Sequence, residues 1–377
     1  NPPPLSLYVH LPWCVRKCPY CDFNSHAARG EIPEQVYVDA LLRDLEHELP
    51  QVEGRTIQTI FLGGGTPSLF SPEAIARLLA GIRQRIALAP NAEVTLEANP
   101  GTVDTERFRG FRAAGVNRLS IGIQSFDDDK LKALGRIHGR AEALRAAEAA
   151  HAAGFDNFNL DLMFGLPGQA LEQALADVRI AIEQQPTHLS VYQLTIEPNT
   201  LFHAKPPVLP DDDATWDMQL AIQAELAAAG FKQYEVSAYA QPGFECRHNL
   251  NYWQFGDYLG IGAGAHGKLT DTDRITRRWK MKRPEDYSSK AGTSAAIGGE
   301  QRLTRADAIA EFMLNALRLT DGFPAALLTE RTGLALDTVE AALRHAEQQD
   351  FIARNATDIR PTEQGRRFLN NLIELFI

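Results

Sequence analysis

Three of the chain's four cysteines crowd into one stretch, WCVRKCPYCDF (13–23). Cys14, Cys18 and Cys21 stand at C-x3-C-x2-C, with the aromatic Tyr20 directly before the third. Three thiols is an odd set. A structural zinc site normally takes four protein ligands, often from two C-x2-C pairs, and Cys246 lies more than 200 residues away. A disulfide inside the run leaves one thiol over, and a Cys18–Cys21 redox pair leaves Cys14 without a role. An iron–sulfur cubane held by three thiolates uses all three and leaves one iron open to a further ligand. The spacing favours that chemistry. A zinc or redox module stays as the alternative, and it predicts no cubane.

Such a loop needs a scaffold, and the flanking sequence supplies an alternation of strands and helices. LSLYVHL (5–11) reads as a buried strand feeding the cysteines, and a helix follows from Pro33 to about Glu48. Strands are expected at 56–68, 93–100, 116–126, 158–168 and 188–198, with helices near 72–87, 104–113, 127–153, 170–184 and 212–229. Strands separated by helices of ten or more residues pair in parallel through right-handed crossovers. The expectation is an α/β fold, a partial TIM-type (β/α)6 barrel, in which chemistry gathers at the C-terminal ends of strands. The cysteines follow the first strand. Gly63, Gly64, Gly65 and Thr66 end the second, Glu97 the third and Gln124 the fourth, while Asp161 and Gly165 lie towards the end of the fifth. A lone GGGTP is weak evidence, but the joint placement on one rim is not.

Composition bounds the partners. A chain of 377 residues with 44% hydrophobic content can bury one large domain, or a large one with a smaller companion. A formal charge of −10 argues against a nucleic-acid surface over the whole molecule. No apolar run approaches the roughly 18 residues that a membrane span needs, and NPPPLSLYVH lacks the basic region and apolar core of a secretion signal. The expectation is a cytoplasmic protein of a reducing compartment.

The residues together resemble the radical S-adenosylmethionine (SAM) superfamily, whose signature is C-x3-C-x-aromatic-C followed by a glycine motif, here GGGTP. More closely, the chain is similar to the oxygen-independent coproporphyrinogen III oxidase-like family and, within it, to the heme-chaperone branch. The resemblance rests on YVHLPWCVRKCPYCDFNS, FLGGGTPS, LEANPG, GVNRLSIGIQSF, LGRIHG, NLDLMFGLPGQ, LTIEPNT, HNLNYW and GIGAGAHG, which extend from near residue 5 to about 267.

The resemblance implies roles. Cys14, Cys18 and Cys21 would hold a [4Fe-4S] cluster whose open iron takes the amino and carboxylate groups of SAM. Tyr8 would lie by the adenine. Gly64, Gly65 and Thr66 would approach the methionine amino group, where missing side chains allow close backbone contact. Glu97 and Gln124 would bond polar parts of SAM. Arg136 suits the methionine carboxylate, and Asp161 suits the ribose hydroxyls.

The chain also departs from the oxidases. They carry a further cysteine two residues after the third, where this sequence has Phe23, and an N-terminal extension before the first strand, whereas Tyr8 comes almost at once here. Both departures match the heme-chaperone branch and count against decarboxylation of coproporphyrinogen III; the resemblance to that branch implies heme binding and transfer to acceptor proteins, near the membrane and with a low-potential electron donor. SAM cleavage stays open, and radical oxidation of a tetrapyrrole is the alternative function. In the heme-chaperone branch H-N-x-x-Y-W is tied to heme, which points to His248, Asn249, Tyr252 and Trp253. Chemically, His248 could ligate iron, and Tyr252 and Trp253 could stack on a macrocycle. The plainer alternatives are that His248 caps a turn and Trp253 is core. Cys246 is a second soft ligand, and His266 in GAGAHG is expected to support a glycine turn.

Two stretches remain. RITRRWKMKR (274–283) holds six Arg or Lys and reads either as a solvated loop or as an anion site for propionates or phospholipid headgroups. From about residue 302 the pattern is helix, helix, short β wing and helix, a winged-helix-like α+β unit. With 12 acidic and 9 basic residues between 300 and 377, it lacks the basic excess of a DNA-binding face. The domain expectation is therefore a barrel over 1–270, a basic linker over 271–300 and the C-terminal unit over 301–377.

Overall fold

The computed structural model describes residues 2–272 and 274–377. Along Leu5–Leu11 (β1), Leu5, Leu7, Val9 and Leu11 alternate with Ser6, Tyr8 and His10. The apolar set enters the main core. The polar set faces the other side of the sheet, where Ser6 meets Thr59 and Asn251. Period-two alternation of this kind gives each strand one apolar and one polar face.

The same division recurs in Ile57–Gly64 (β2), Leu88–Ala98 (β3), Arg118–Gln124 (β4), Phe158–Phe164 (β5) and His188–Gln193 (β6). These strands lie side by side in chain order, all parallel. Helices Glu34–Glu48 (α1), Pro72–Arg85 (α2), Thr105–Ala114 (α3), Arg140–Ala152 (α4) and Leu171–Glu183 (α5) make the crossovers. The α/β partial barrel expected from the sequence is present. Its strands stop sooner than their apolar runs suggested: β2 ends at Gly64 because Pro67 opens a short 3-10 turn.

The sheet does not end at the sixth strand. Beyond β1, on the edge away from β2, runs Asp257–Ile261 (β7), again parallel. His266–Asp271 (β8), Arg274–Lys280 (β9) and Ile297–Arg302 (β10) then continue as an antiparallel meander. Among the described residues the sheet is open, with β1 in its interior.

Residues 271–300 are therefore not a linker, and RITRRWK is not a solvated loop. Arg274 pairs at the surface with Asp271, but the inner charges of that run reach buried or half-buried partners. Lys280 Nζ donates to Glu48 Oε1 at 2.6 Å and to Asp44, Arg278 meets Glu48 and Glu300, and Arg277 meets Glu311. The paired carboxylates come from α1, the neighbouring strand and the C-terminal unit, so nothing local in the sequence announces them.

The C-terminal unit has the expected helix–helix–wing–helix order. Helices Arg305–Ala316, Ala326–Thr332 and Glu340–Gln348 pack on a small sheet made of Phe323–Pro324, Asp358–Pro361 and Ile352–Arg354. Its core of Phe312, Met313, Leu328 and Leu343 is continuous with Phe255 and Ile275 of the sheet side. Among the described residues no helix is long and apolar enough to cross a membrane.

Candidate functional site

The cysteine loop leaves β1 through the two-residue strand Trp13–Cys14, which pairs with His26–Ala27. A turn bonds Cys21 N to Cys18 O at 3.2 Å. Cys14, Cys18 and Cys21 are half-buried free thiols. The Arg136 guanidinium donates to Cys18 Sγ at 3.5 Å and to Gly122 O at 2.9 Å. Burial pushes the Cys14 thiol up, partly offset by the hydroxyl of Thr66. No set of three His, Cys, Asp or Glu among the described residues is arranged around one metal ion. A single zinc would require that arrangement, whereas each thiolate of a cubane holds a different iron. Three free thiols with a cation beside one of them fit an anionic cluster.

Two features of the glycine run are steric. Gly64 has φ +110°, and a Cβ there would lie 2.3 Å from His10 Cε1. A Cβ on Gly65 would lie 2.7 Å from the Pro12 and Trp13 backbone. The run is thus pressed onto the base of the cysteine loop, and Gly64 N is turned to donate to Glu97 Oε2 at 3.0 Å. Gln124, at the end of β4, has a left-handed φ of +69°. That is uncommon for a non-glycine residue and frequent where a strand end is shaped for function.

Two carboxylates sit among these elements. Burial, then the charge of Asp161, raises Glu97 to about 7, opposed by the Gly64 N–H. Burial raises Asp161 to about 6, against bonds from Asn159 and Ser120. Holding Glu97 as an ion is costly without a cation nearby. Its pKa is higher folded than unfolded, so its contribution to stability is present below about 4.5 and lost as pH rises through about 7. In SAM-free protein, Glu97→Gln should therefore gain stability over wild type as pH goes from 5 to 8, by up to about 3 kcal/mol. Urea melts at the two pH values would read this directly. An equal difference at both would mean that Glu97 titrates normally.

Tyr8, Gly64 and Glu97 line one cavity of about 550 Å³ together with His10, Phe23 and Asn24. Its opposite wall is built by Tyr252, Trp253, Tyr258, His266, Lys268, Arg277 and Lys282. Gly65, Thr66, Gln124, Arg136 and Asp161 lie outside that lining. Thr66 is buried beside Cys14, and Arg136 stands under Cys18.

The H-N-x-x-Y-W residues divide. They form the helix Arg247–Trp253 (α6). Tyr252 and Trp253 reach the cavity, but Asn249 does not. His248 is 1% exposed. Its Nδ1 shares a hydrogen bond with Thr59 Oγ1 at 2.7 Å and its Nε2 one with Tyr252 OH at 2.9 Å. Burial, and then the charge of Arg118, pushes its imidazole down to about 3. With both ring nitrogens engaged, His248 is a core histidine and has none free for iron. Cys246 is fully buried against Glu93, and burial pushes its thiol up to about 12, so it is no open soft ligand either.

Sequence reasoning missed Asn24. Its Nδ2 donates to Ala263 O at 3.0 Å and to Lys282 O at 2.9 Å, which ties the cysteine loop to the far wall. It also missed Arg118, 2% exposed in the barrel interior near Glu93 and Asp161. The only signal was an arginine inside the apolar run VNRLSIGI.

The Radical SAM superfamily model matches residues 8–180, and the HemN C-terminal domain model matches 303–368. The chain is 53% identical over 376 residues to the heme chaperone HemW of Escherichia coli, covering all of this chain and 98% of that protein. It is 53% identical over 380 residues to the heme chaperone HemW of Haemophilus influenzae, with the same coverage. Among solved structures, coproporphyrinogen III oxidase (HemN) from Escherichia coli superposes with a TM-score of 0.84 at 24% identity, covering all of this chain and 90% of that one. At that identity the match speaks for the fold.

Proposed function

The chain belongs to the heme chaperone HemW family of the radical SAM superfamily, and on that premise we propose that it binds heme and passes it to acceptor proteins. Cys14, Cys18 and Cys21 would hold a [4Fe-4S] cluster, whose open iron would take SAM. The shared cavity carries this reading. Phe23 and Asn24, just after the third cysteine, line it together with Gly64 and Glu97, and the rest of its lining is aromatic and basic, which suits a flat, apolar, doubly anionic tetrapyrrole.

Within the site each residue has a task. The Gly64 and Gly65 backbone admits the methionine end of SAM. Glu97 would accept a hydrogen bond from its ammonium, a cation that favours the ionised carboxylate. Arg136, which donates to Cys18 Sγ, would offset cluster charge there and would suit SAM's carboxylate. Tyr8, Gln124, Thr66 and Asp161 orient the rest of the molecule. Held by Cys14, Cys18 and Cys21, the cluster with SAM would supply one-electron chemistry, fed by a low-potential donor. Acceptors at the membrane and a cytoplasmic location with peripheral attachment complete the proposal.

The experiment is a paired assay on one anaerobically reconstituted sample. Hemin titration should give a Soret band with saturable binding. The same sample, reduced and given excess SAM, should form no protoporphyrinogen IX from coproporphyrinogen III. Robust decarboxylation with no hemin binding would replace the carrier with the oxidase.

A further inference from the structure

We propose that His266 supplies the axial nitrogen to the heme iron, with Phe23 covering part of the macrocycle and Lys282 meeting a propionate. The proposal rests on the heme-binding reading above and names the residues of that same cavity.

Of the chain's ten histidines, two line the cavity, His10 and His266. His10 is 5% exposed, with Nδ1 bonded to Tyr8 OH at 2.9 Å and Nε2 to the Asn24 carbonyl at 2.8 Å. Its lone pair is committed. His248 is committed in the same way. His266 is exposed, and among the described residues its ring takes part in no hydrogen bond. It stacks against Trp279 with centroids 6.1 Å apart and planes at 24°. A ring held by a face contact alone is oriented while both nitrogens stay free.

Its backbone is also fixed. A Cβ on Gly260 would lie 2.0 Å from the His266 carbonyl oxygen, so β7 and β8 meet there as closely as glycine allows. The turn before it is bound to the cysteine loop through Asn24. The pocket wall, and then the charges of Arg277 and Lys282, push the imidazole below its ordinary value.

The neighbours suit the rest of heme. Phe23 is 66% exposed beside Asn24, at the cavity mouth. Its ring belongs to the cavity lining, where an aromatic face can stack on a flat macrocycle. Arg277 is occupied by Glu311 and Tyr258. Lys282 also lines the cavity, and among the described residues its ammonium has no ion-pair partner. It is the cation free to meet a carboxylate.

The test uses full-length, cluster-loaded protein titrated with hemin and followed by absorption and electron paramagnetic resonance. His266→Ala should shift the Soret band, remove the signal of imidazole-ligated ferric iron and weaken binding at least about tenfold. In His266→Gly, added free imidazole should restore the wild-type spectrum. His248→Gln, with its cluster absorbance intact, should keep that spectrum. A wild-type spectrum and affinity in His266→Ala, or no rescue by imidazole in His266→Gly, would overturn the assignment while leaving heme binding in place. Failure of the wild type to bind hemin would remove both.

Discussion

Cys18→Ala should abolish the iron–sulfur cluster outright. Wild-type protein reconstituted without oxygen should hold close to four irons and four sulfides, and the electron paramagnetic resonance signal of its reduced cluster should shift when SAM is added. Cys14→Ala and Cys21→Ala should behave like Cys18→Ala, since each thiolate holds its own iron. Cys246→Ser should keep the full complement, because Cys246 is buried against Glu93, far along the chain from the loop. Iron and sulfide analysis with the low-temperature signal decides it. Full cluster retention in Cys18→Ala would refute the three-thiolate site.

The second large effect lies outside the site. Lys280→Met should destabilise the protein by about 3–5 kcal/mol, the usual cost of leaving a buried charge without its partner. Asp44 and Glu48 have side chains 1% and 4% exposed, and Lys280 lies between them. Tyr287 donates to Asp44 at 2.7 Å and Arg278 to Glu48 at 3.0 Å, but neither replaces the ammonium. Burial already pushes Asp44 up. Adding Asp44→Asn and Glu48→Gln to Lys280→Met should recover much of the loss, because the site then carries neutral groups. Equilibrium denaturation of the single and triple variants measures both. A loss under about 1 kcal/mol in the single variant would mean that water reaches the cluster.

The same lysine shows which parts of the fold can be read from the sequence. Strands β1 to β6 were legible because each is an apolar run bounded by turn residues and followed by a helix. The cysteine and glycine motifs were legible because their chemistry depends on local spacing. β8 to β10 were not. RITRRWK shows charge, and only the folded chain shows that Arg277, Arg278 and Lys280 face carboxylates at least 22 residues away. His248 failed for the same reason. Its partner Thr59 lies 189 residues off, so nothing beside it revealed that its ring was occupied. His266 was read as a turn residue because glycines surround it. The opening above it depends on Asn24 and Lys282, which come together across 258 residues.

The position of β1 inside the sheet has a consequence for how the protein is made. On one side its neighbours follow in chain order, so β1 to β6 can pair as they leave the ribosome, through contacts of modest sequence separation. On the other side its partner is β7, and the bond from Asn251 to Ser6 that anchors this seam closes a loop of 245 residues. Until residue 261 has emerged, one edge of β1 stands open, the state that invites wrong pairing. The cysteine loop and the glycine run belong to the half that forms early. The wall bearing His266 belongs to the half that forms last. On the proposed function, the order of synthesis separates the two ligands in time: the chain would be ready for its cluster well before it had anywhere to put heme.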